Sequence, residues 1–348
     1  MTVANLQTRA TDESGVPAGQ PLLSSKPLIH IGLRNTGSTW LRRKLFGRTD
    51  TGFWSPSDMA LPGKSRVREH ARQLIMDKVG RLIPDEDFDP AVLRAKLEPF
   101  VVPPGRCAIF SSERLGGHPL SNGFDRGQLC DRIKQVYSDA RILIVIREQR
   151  RMILSNYMEN LKGGGAGTLQ HYLDGKWDTS CSALTFHYFM YDRLIRLYHS
   201  AFGAENVLVL PFEMISADPD SFINRICEFS DIPVPEGIPF SERSNARTTY
   251  FSYTFLRRIV PLFRSSRGNN YSPALLGREP GKAVHRAMID GISKIVPKSL
   301  EKRTKQRLQR QIEEMTAVTY AASNRETERL IGMDLSAFGY LVDRNADD

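Results

Sequence analysis

Leu28-Ile29-His30-Ile31-Gly32-Leu33-Arg34-Asn35-Thr36-Gly37-Ser38-Thr39-Trp40-Leu41 is a short aliphatic run that enters a glycine-containing turn and continues into a helical pattern. Strand, turn and helix in that order direct the N–H groups of the turn and of the helix start towards one point, which is a place for an anion. Gly32 and Gly37 allow positive φ and close main-chain approach. The hydroxyls of Ser38 and Thr39 add two donors. Against the ATP-binding pattern GxxxxGK[ST], residues 32–39 agree everywhere except that Ser38 replaces the lysine. A second departure is that the aliphatic run Ile142 to Ile146 ends in Arg147, where a magnesium-dependent enzyme would carry a carboxylate. Both departures count against an ATP-dependent kinase, which is kept as the alternative.

Cys107–Ser111, Arg141–Ile146 and Val207–Pro211 are further near-continuous apolar runs, the pattern of strands buried on both faces of a parallel sheet. Between them lie helical stripes. Leu129, Ile133 and Val136 share one face, and Leu184, Tyr188, Tyr191, Ile195 and Tyr198 another, with Gly203 placed to end the helix. Asp218-Pro219 predicts an N-cap and first helical turn leading into Phe222, Ile223, Ile226 and Phe229. A charged helical stretch runs over 299–331, broken once, opened by Ser299 and closed at Gly332. The expected class is α/β, a central parallel sheet flanked by helices in three layers. Residues 1–26 read as a disordered tail, 27–348 as a single domain, and 49–105 and 241–285 as irregular insertions.

The 348 residues, 41% of them hydrophobic, suffice for a large core. No apolar run approaches the roughly 20 residues of a membrane-crossing helix, and the first 26 residues lack a secretory signal, so a cytoplasmic protein with no membrane span is expected. Cys107, Cys130, Cys181 and Cys227 lack metal-binding or disulfide spacing and read as reduced, buried thiols. The net charge of +9 is concentrated: residues 257–310 hold 14 Lys/Arg against 3 Asp/Glu, a local +11 that leaves −2 elsewhere. A polyanion near that segment is implied. No aromatic RNA-binding motif or helix-turn-helix signature is present, so nucleic acid is not the expected partner.

Arg147 follows the third aliphatic run directly, and Ser155 comes eight residues later in the next helix. A strand-end guanidinium and a helix-borne hydroxyl suit one more phosphate. Ligands of open parallel sheets collect at the carboxyl ends of the strands. Each run ends there in a polar group: the Gly32 loop, Ser112-Glu113, Arg147 and Glu213.

In this order and at these distances the segments resemble the bacterial type of sulfotransferase that uses 3′-phosphoadenosine 5′-phosphosulfate (PAPS). Gly32–Leu41 is similar to the 5′-phosphosulfate loop of that family, and Arg147 with Ser155 to its 3′-phosphate motif. Val207–Glu213, Asp218-Pro219 and the ending Asn324 to Leu341 are also similar. The resemblance implies a P-loop-nucleotide-hydrolase-like fold and transfer of a sulfuryl group from PAPS to a hydroxyl or amine of an acceptor, such as a carbohydrate or glycolipid. The product would be 3′,5′-adenosine bisphosphate (PAP), and no metal is required. It assigns nucleotide contacts to Arg34, Asn35, Thr36, Gly37, Ser38, Thr39, Trp40, Arg147 and Ser155, with Arg267 on a late basic loop. One departure stands out: Asn35 occupies a position that is usually basic, which makes Arg34 the substitute cation. If Arg34 does not serve, the chain binds PAP or PAPS with impaired catalysis. Glu113, just after the second run, is the expected general base because it shares the edge of the phosphate loop and a carboxylate can be tuned by burial. His118 is its competitor.

Overall fold

The computed structural model describes residues 19–55, 75, 79, 83–173, 184–238, 249–263, 275–276 and 278–343. The chain divides into two compact units. The first comprises residues up to 118 with 123–146 and 193–240, and the second 119–122, 147–192 and 241–348.

The first unit is built on five parallel strands in the order β3-β5-β2-β6-β7: Phe53–Trp54, Cys107–Ser112, Leu28–Gly32, Arg141–Ile146 and Val207–Pro211. Every residue of β2 and β5 is buried, as is all of β6 except Arg141. These strands therefore carry apolar side chains on both faces rather than alternating. The register pairs Ile31 with Ser112, Gly32 with Val145, and Ile146 with Pro211, so four strands end at one edge. The chain leaves the central β2 first towards one side of the sheet and later towards the other, which makes this edge a topological switch point.

Flanking helices use the expected stripes. Arg126–Val136 buries Leu129, Ile133 and Val136. Pro219–Phe229 buries Phe222, Ile223 and Ile226, with the Asp218 carboxylate accepting from the Ser221 amide at 3.0 Å. Tyr191–Phe202 begins later than its stripe suggests. Leu184 is coil and Tyr188 lies in a 3₁₀ turn, because the Thr185 hydroxyl caps the His187 amide there. Gly203, at φ 85°, ends the helix. Within the stretch read as a tail, β1 (Gln20–Pro21) pairs antiparallel with β4 (Val101–Val102), and Leu22 is fully buried. Cys107, Cys130 and Cys227 are buried thiols, whereas Cys181 lies outside the described residues.

The second unit is helical. Gln149–Lys162 starts at Glu148, whose carboxylate accepts from the amides of Arg150 and Arg151, both at 2.9 Å. The next residue, Gln149, is joined to Asn324 by two amide hydrogen bonds of 2.5 and 3.2 Å. Asn324 also donates to the Leu341 carbonyl at 2.8 Å. All four amide atoms of this buried pair lie where water cannot satisfy them, so the reciprocal bonds lock the helix start to the C-terminal segment. The charged stretch is two helices, Lys298–Met315 and Ala321–Ile331. The first opens one residue early, after the extended Pro297. The break falls at Thr316, whose hydroxyl donates to Ile312 and accepts from Arg150, and Gly332 closes the second helix at φ 65°. Tyr250–Leu256, Val260–Phe263 and Arg278–Ile295 share a small core of Leu256, Val260 and Ile289. Among the described residues no helix is long and apolar enough to cross a membrane.

A titratable side chain lies inside the sheet. His30 of β2 is fully buried, with Nδ1 2.8 Å from the hydroxyl of Ser111 on the neighbouring β5 and the Phe46 ring beside it. Burial, helped by the positive charge of Arg42, lowers its pKa from 6.5 to about 3. The folded chain thus keeps His30 neutral where the unfolded chain protonates it, and stability should fall as pH drops from 6.5 towards 3. The slope from this group is about 1.4 kcal/mol per pH unit. Urea unfolding at about pH 7 and pH 5 checks this: the wild type should lose more stability on acidification than His30→Leu, and equal losses would exclude His30 as the source.

Candidate functional site

At the carboxyl end of β2 the chain has no room for a side chain. A Cβ on Gly32 would stand 3.0 Å from the Ser38 hydroxyl and 3.2 Å from both the Cα and the amide nitrogen of Glu113. The strand end, the start of the following helix and the residue after β5 therefore meet at one point. Asn35 and Gly37 are both left-handed, at φ 63° and 79°, and fold the intervening chain into a tight loop. Asparagine tolerates that region better than most side chains. Gly37 is needed twice, since a Cβ would also approach the Phe212 ring to 2.9 Å. Thr36 is fully buried and spends its hydroxyl on the Leu33 carbonyl at 2.7 Å, so its role is to hold the loop.

Ser38 opens the helix Ser38–Leu41 and is 2% exposed, with a buried hydroxyl that has no hydrogen-bond partner. A buried hydroxyl left unmatched costs on the order of 1–3 kcal/mol. Its position at a helix start, inside a loop of left-handed turns, fits an anionic oxygen as the missing partner. Thr39 is exposed and Trp40 half-buried on the same short helix.

Two cations belong to this corner of the fold. Arg34, half-buried, acts on His118. The His118 imidazole is held below its usual pKa mainly by partial desolvation, then by the charge of Arg34, with Asp125 opposing and Arg114 adding. The His118 main-chain amide donates to the Asp125 carboxylate at 3.1 Å, fixing the segment after Glu113. The second cation was not singled out from sequence. Arg42, on the π turn that prolongs the helix, lies 3.6 Å from the Glu113 carboxylate and donates to the Thr39 hydroxyl at 3.3 Å. Its spacing of three from Thr39 was the available signal. The partner of Glu113 is thus Arg42 across the sheet edge, not its neighbour in sequence.

The second unit holds the other candidates. Arg147, half-buried, is covalently the next residue after β6, and its carbonyl accepts from the Tyr191 hydroxyl at 2.6 Å. Its charge is felt by Tyr250, whose phenol is pushed up by burial and drawn back by Arg147. Ser155 is half-buried on the helix Gln149–Lys162. Since Glu148 takes the Arg150 and Arg151 amides, a ligand at this helix start would meet side chains before those two amides. Arg267 lies outside the described residues. The structure thus brings the loop residues 34–40 together with Glu113 and, through Arg34, with His118.

Ser38→Ala should leave the urea midpoint of the ligand-free protein unchanged or slightly raised while weakening a phosphate-bearing ligand about tenfold. A clear loss of stability in the variant would mean that the hydroxyl already has a partner within the fold.

A model of the sulfotransferase family matches residues 127–236. No curated protein sequence matches the chain. Among solved structures, a sulfotransferase from Alicyclobacillus acidocaldarius is 19% identical, with 67% of this chain and 94% of that one covered and a TM-score of 0.44. The sulfotransferase domain from the curacin biosynthetic pathway is 15% identical over 83% of this chain and 98% of its own, with a TM-score of 0.37. The mouse sulfotransferase SULT7A1, complexed with PAP, is 14% identical over 89% of this chain and 90% of its own, at 0.36. The stretch matched by the family model, 127–236, is the one that carries Arg147, Ser155 and β7.

Proposed function

We propose that the protein transfers a sulfuryl group from PAPS to a hydroxyl or amine of an acceptor and releases PAP. The observation that carries the reading is the buried, unpartnered Ser38 hydroxyl inside a loop of two left-handed residues. That loop sits at the carboxyl edge of a parallel sheet, with no lysine in it and a carboxylate, Glu113, packed against its glycine. A family segment that includes Arg147 and Ser155 supports the same reading from the other end of the nucleotide.

In this reaction the acceptor oxygen forms a new bond to sulfur as the bond from sulfur to the bridging phosphosulfate oxygen breaks. The acceptor proton passes to Glu113, and negative charge gathers on the leaving phosphate. The loop amides, the Ser38 and Thr39 hydroxyls and Arg34 face that charge and stabilise it electrostatically. Arg147 and Ser155 hold the 3′-phosphate, which orients the nucleotide so that its sulfur lies in line with the acceptor. The left-handed backbone at Asn35 supports giving the cationic role to Arg34. Asparagine suits φ 63°, so position 35 serves the loop's shape and its neighbour supplies the charge.

Titration of PAP and of adenosine 5′-phosphosulfate into wild type and Arg147→Ala tests the nucleotide assignment. PAP should weaken by at least about tenfold, the size of a hydrogen bond to a charged group, and adenosine 5′-phosphosulfate, which lacks the 3′ group, should change little. Equal losses for both would remove Arg147 from the 3′-phosphate. Glu113→Gln should lower kcat by on the order of 100-fold or more at nearly constant PAP affinity. A fully active variant would shift the base to His118.

A further inference from the structure

The face of the second unit formed by helices Tyr250–Leu256 and Val260–Phe263 takes no part in the chemistry above, and it is unusual in being apolar on both sides. Leu256 and Val260 point into the core with Ile289. Phe255, Ile259 and Leu262, spaced by four and three residues, point the other way and are 61%, 38% and 61% exposed. This i, i+4, i+7 spacing runs across the two short helices and the turn at 257–259 that joins them. Phe251 extends it at one end, stacked on Phe255 with ring centroids 5.6 Å apart. Leu275 extends it at the other, where its amide donates to the Leu262 carbonyl at 2.9 Å while its side chain is 84% exposed. Five large apolar side chains thus form one strip in water, against the usual scatter of single exposed residues.

The charge on the described residues beside the strip is mostly positive. Residues 243–278 contain seven arginines and six aromatic residues and not one Asp or Glu. Arg258 is exposed within the strip. At its Phe251 end the next helix brings cations alongside: the Phe251 amide donates to Glu301, Lys305 lies 5.9 Å over the Tyr250 ring, and Lys302 and Lys305 are exposed. Apolar and aromatic side chains laid along a helix with basic residues beside them match a bilayer interface whose headgroups are anionic. A second copy of the chain fits poorly, since a twofold contact through this strip would oppose arginine to arginine with no acid in 243–278 to pair them.

We infer that this strip docks the protein on an anionic lipid surface, with Phe251, Phe255, Ile259, Leu262 and Leu275 entering the headgroup boundary and Arg258, Lys302 and Lys305 meeting lipid phosphates. The inference is independent of the nucleotide assignment.

Sedimentation of the full chain with vesicles tests it, comparing pure phosphatidylcholine with vesicles containing roughly one third phosphatidylglycerol. Binding to the anionic vesicles should exceed that to neutral ones by about tenfold or more and should weaken with added salt. Phe255→Ser with Leu262→Ser should reduce it by about tenfold, and Arg258→Gln by about fivefold. An unchanged circular dichroism spectrum and urea midpoint would show that both variants are folded. No sedimentation with anionic vesicles, which is what an acidic protein partner would leave, overturns the inference. Equal binding by the double variant does so too, as does a dimer in solution that the double variant dissolves.

Discussion

Position 32 is a place where the first unit leaves little room for a side chain. The end of β2 lies against the main chain of Glu113 and against the Ser38 hydroxyl at 3.0–3.2 Å from where a Cβ would stand. That approach follows from the parallel pairing of Ile31 with Ser112, which ends β2 and β5 together, and it brings the loop of left-handed residues close to the main chain of Glu113. Even one methyl group would have to push the loop or the β5 end outward, because packed interiors do not yield by that much. The stability of the sheet and the geometry of the site are therefore parts of one arrangement.

Charge around that point is distributed with little slack. Arg42 stands between Glu113 and Thr39 on the surface side, and its field reaches inward to the buried, neutral His30. Arg34 plays the corresponding part for His118. Each of the two candidate bases has a cation near it: Arg42 lies 3.6 Å from the Glu113 carboxylate, and the charge of Arg34, after desolvation, helps hold the His118 imidazole below its usual pKa.

The second unit is organised by a different device, a buried pair of side-chain amides. Gln149 and Asn324 satisfy each other, and Asn324 also ties down Leu341, so the helix that carries Ser155 is fixed at its first residue to a segment 175 residues away in sequence. Thr316 adds a second tie through Arg150 at the break between the two C-terminal helices. These polar locks lie in the interior, while a strip of phenylalanine, isoleucine and leucine lies outside. The inversion is understandable if the outer strip has an apolar surface of its own to meet.

Much was legible in the sequence because it rests on local physics. Four aliphatic runs became four parallel strands with ends within one residue of expectation, since burial on both faces leaves no other pattern. Gly37, Asp218-Pro219, Gly203 and Gly332 sit where turns and caps require them. Other features depend on contacts between residues far apart in the chain. That Arg42 pairs with Glu113, that Ser38 keeps an unmatched hydroxyl, and that Asn324 holds Gln149 could only follow from the register of the strands and the packing of helices. The strip from Phe251 to Leu275 is the clearest example, because 241–285 reads in the sequence as an irregular insertion. Only the tertiary structure decides that Leu256 and Val260 take the inner face and leave Phe255, Ile259 and Leu262 to the outside, since a helix buries just the side its neighbours can reach.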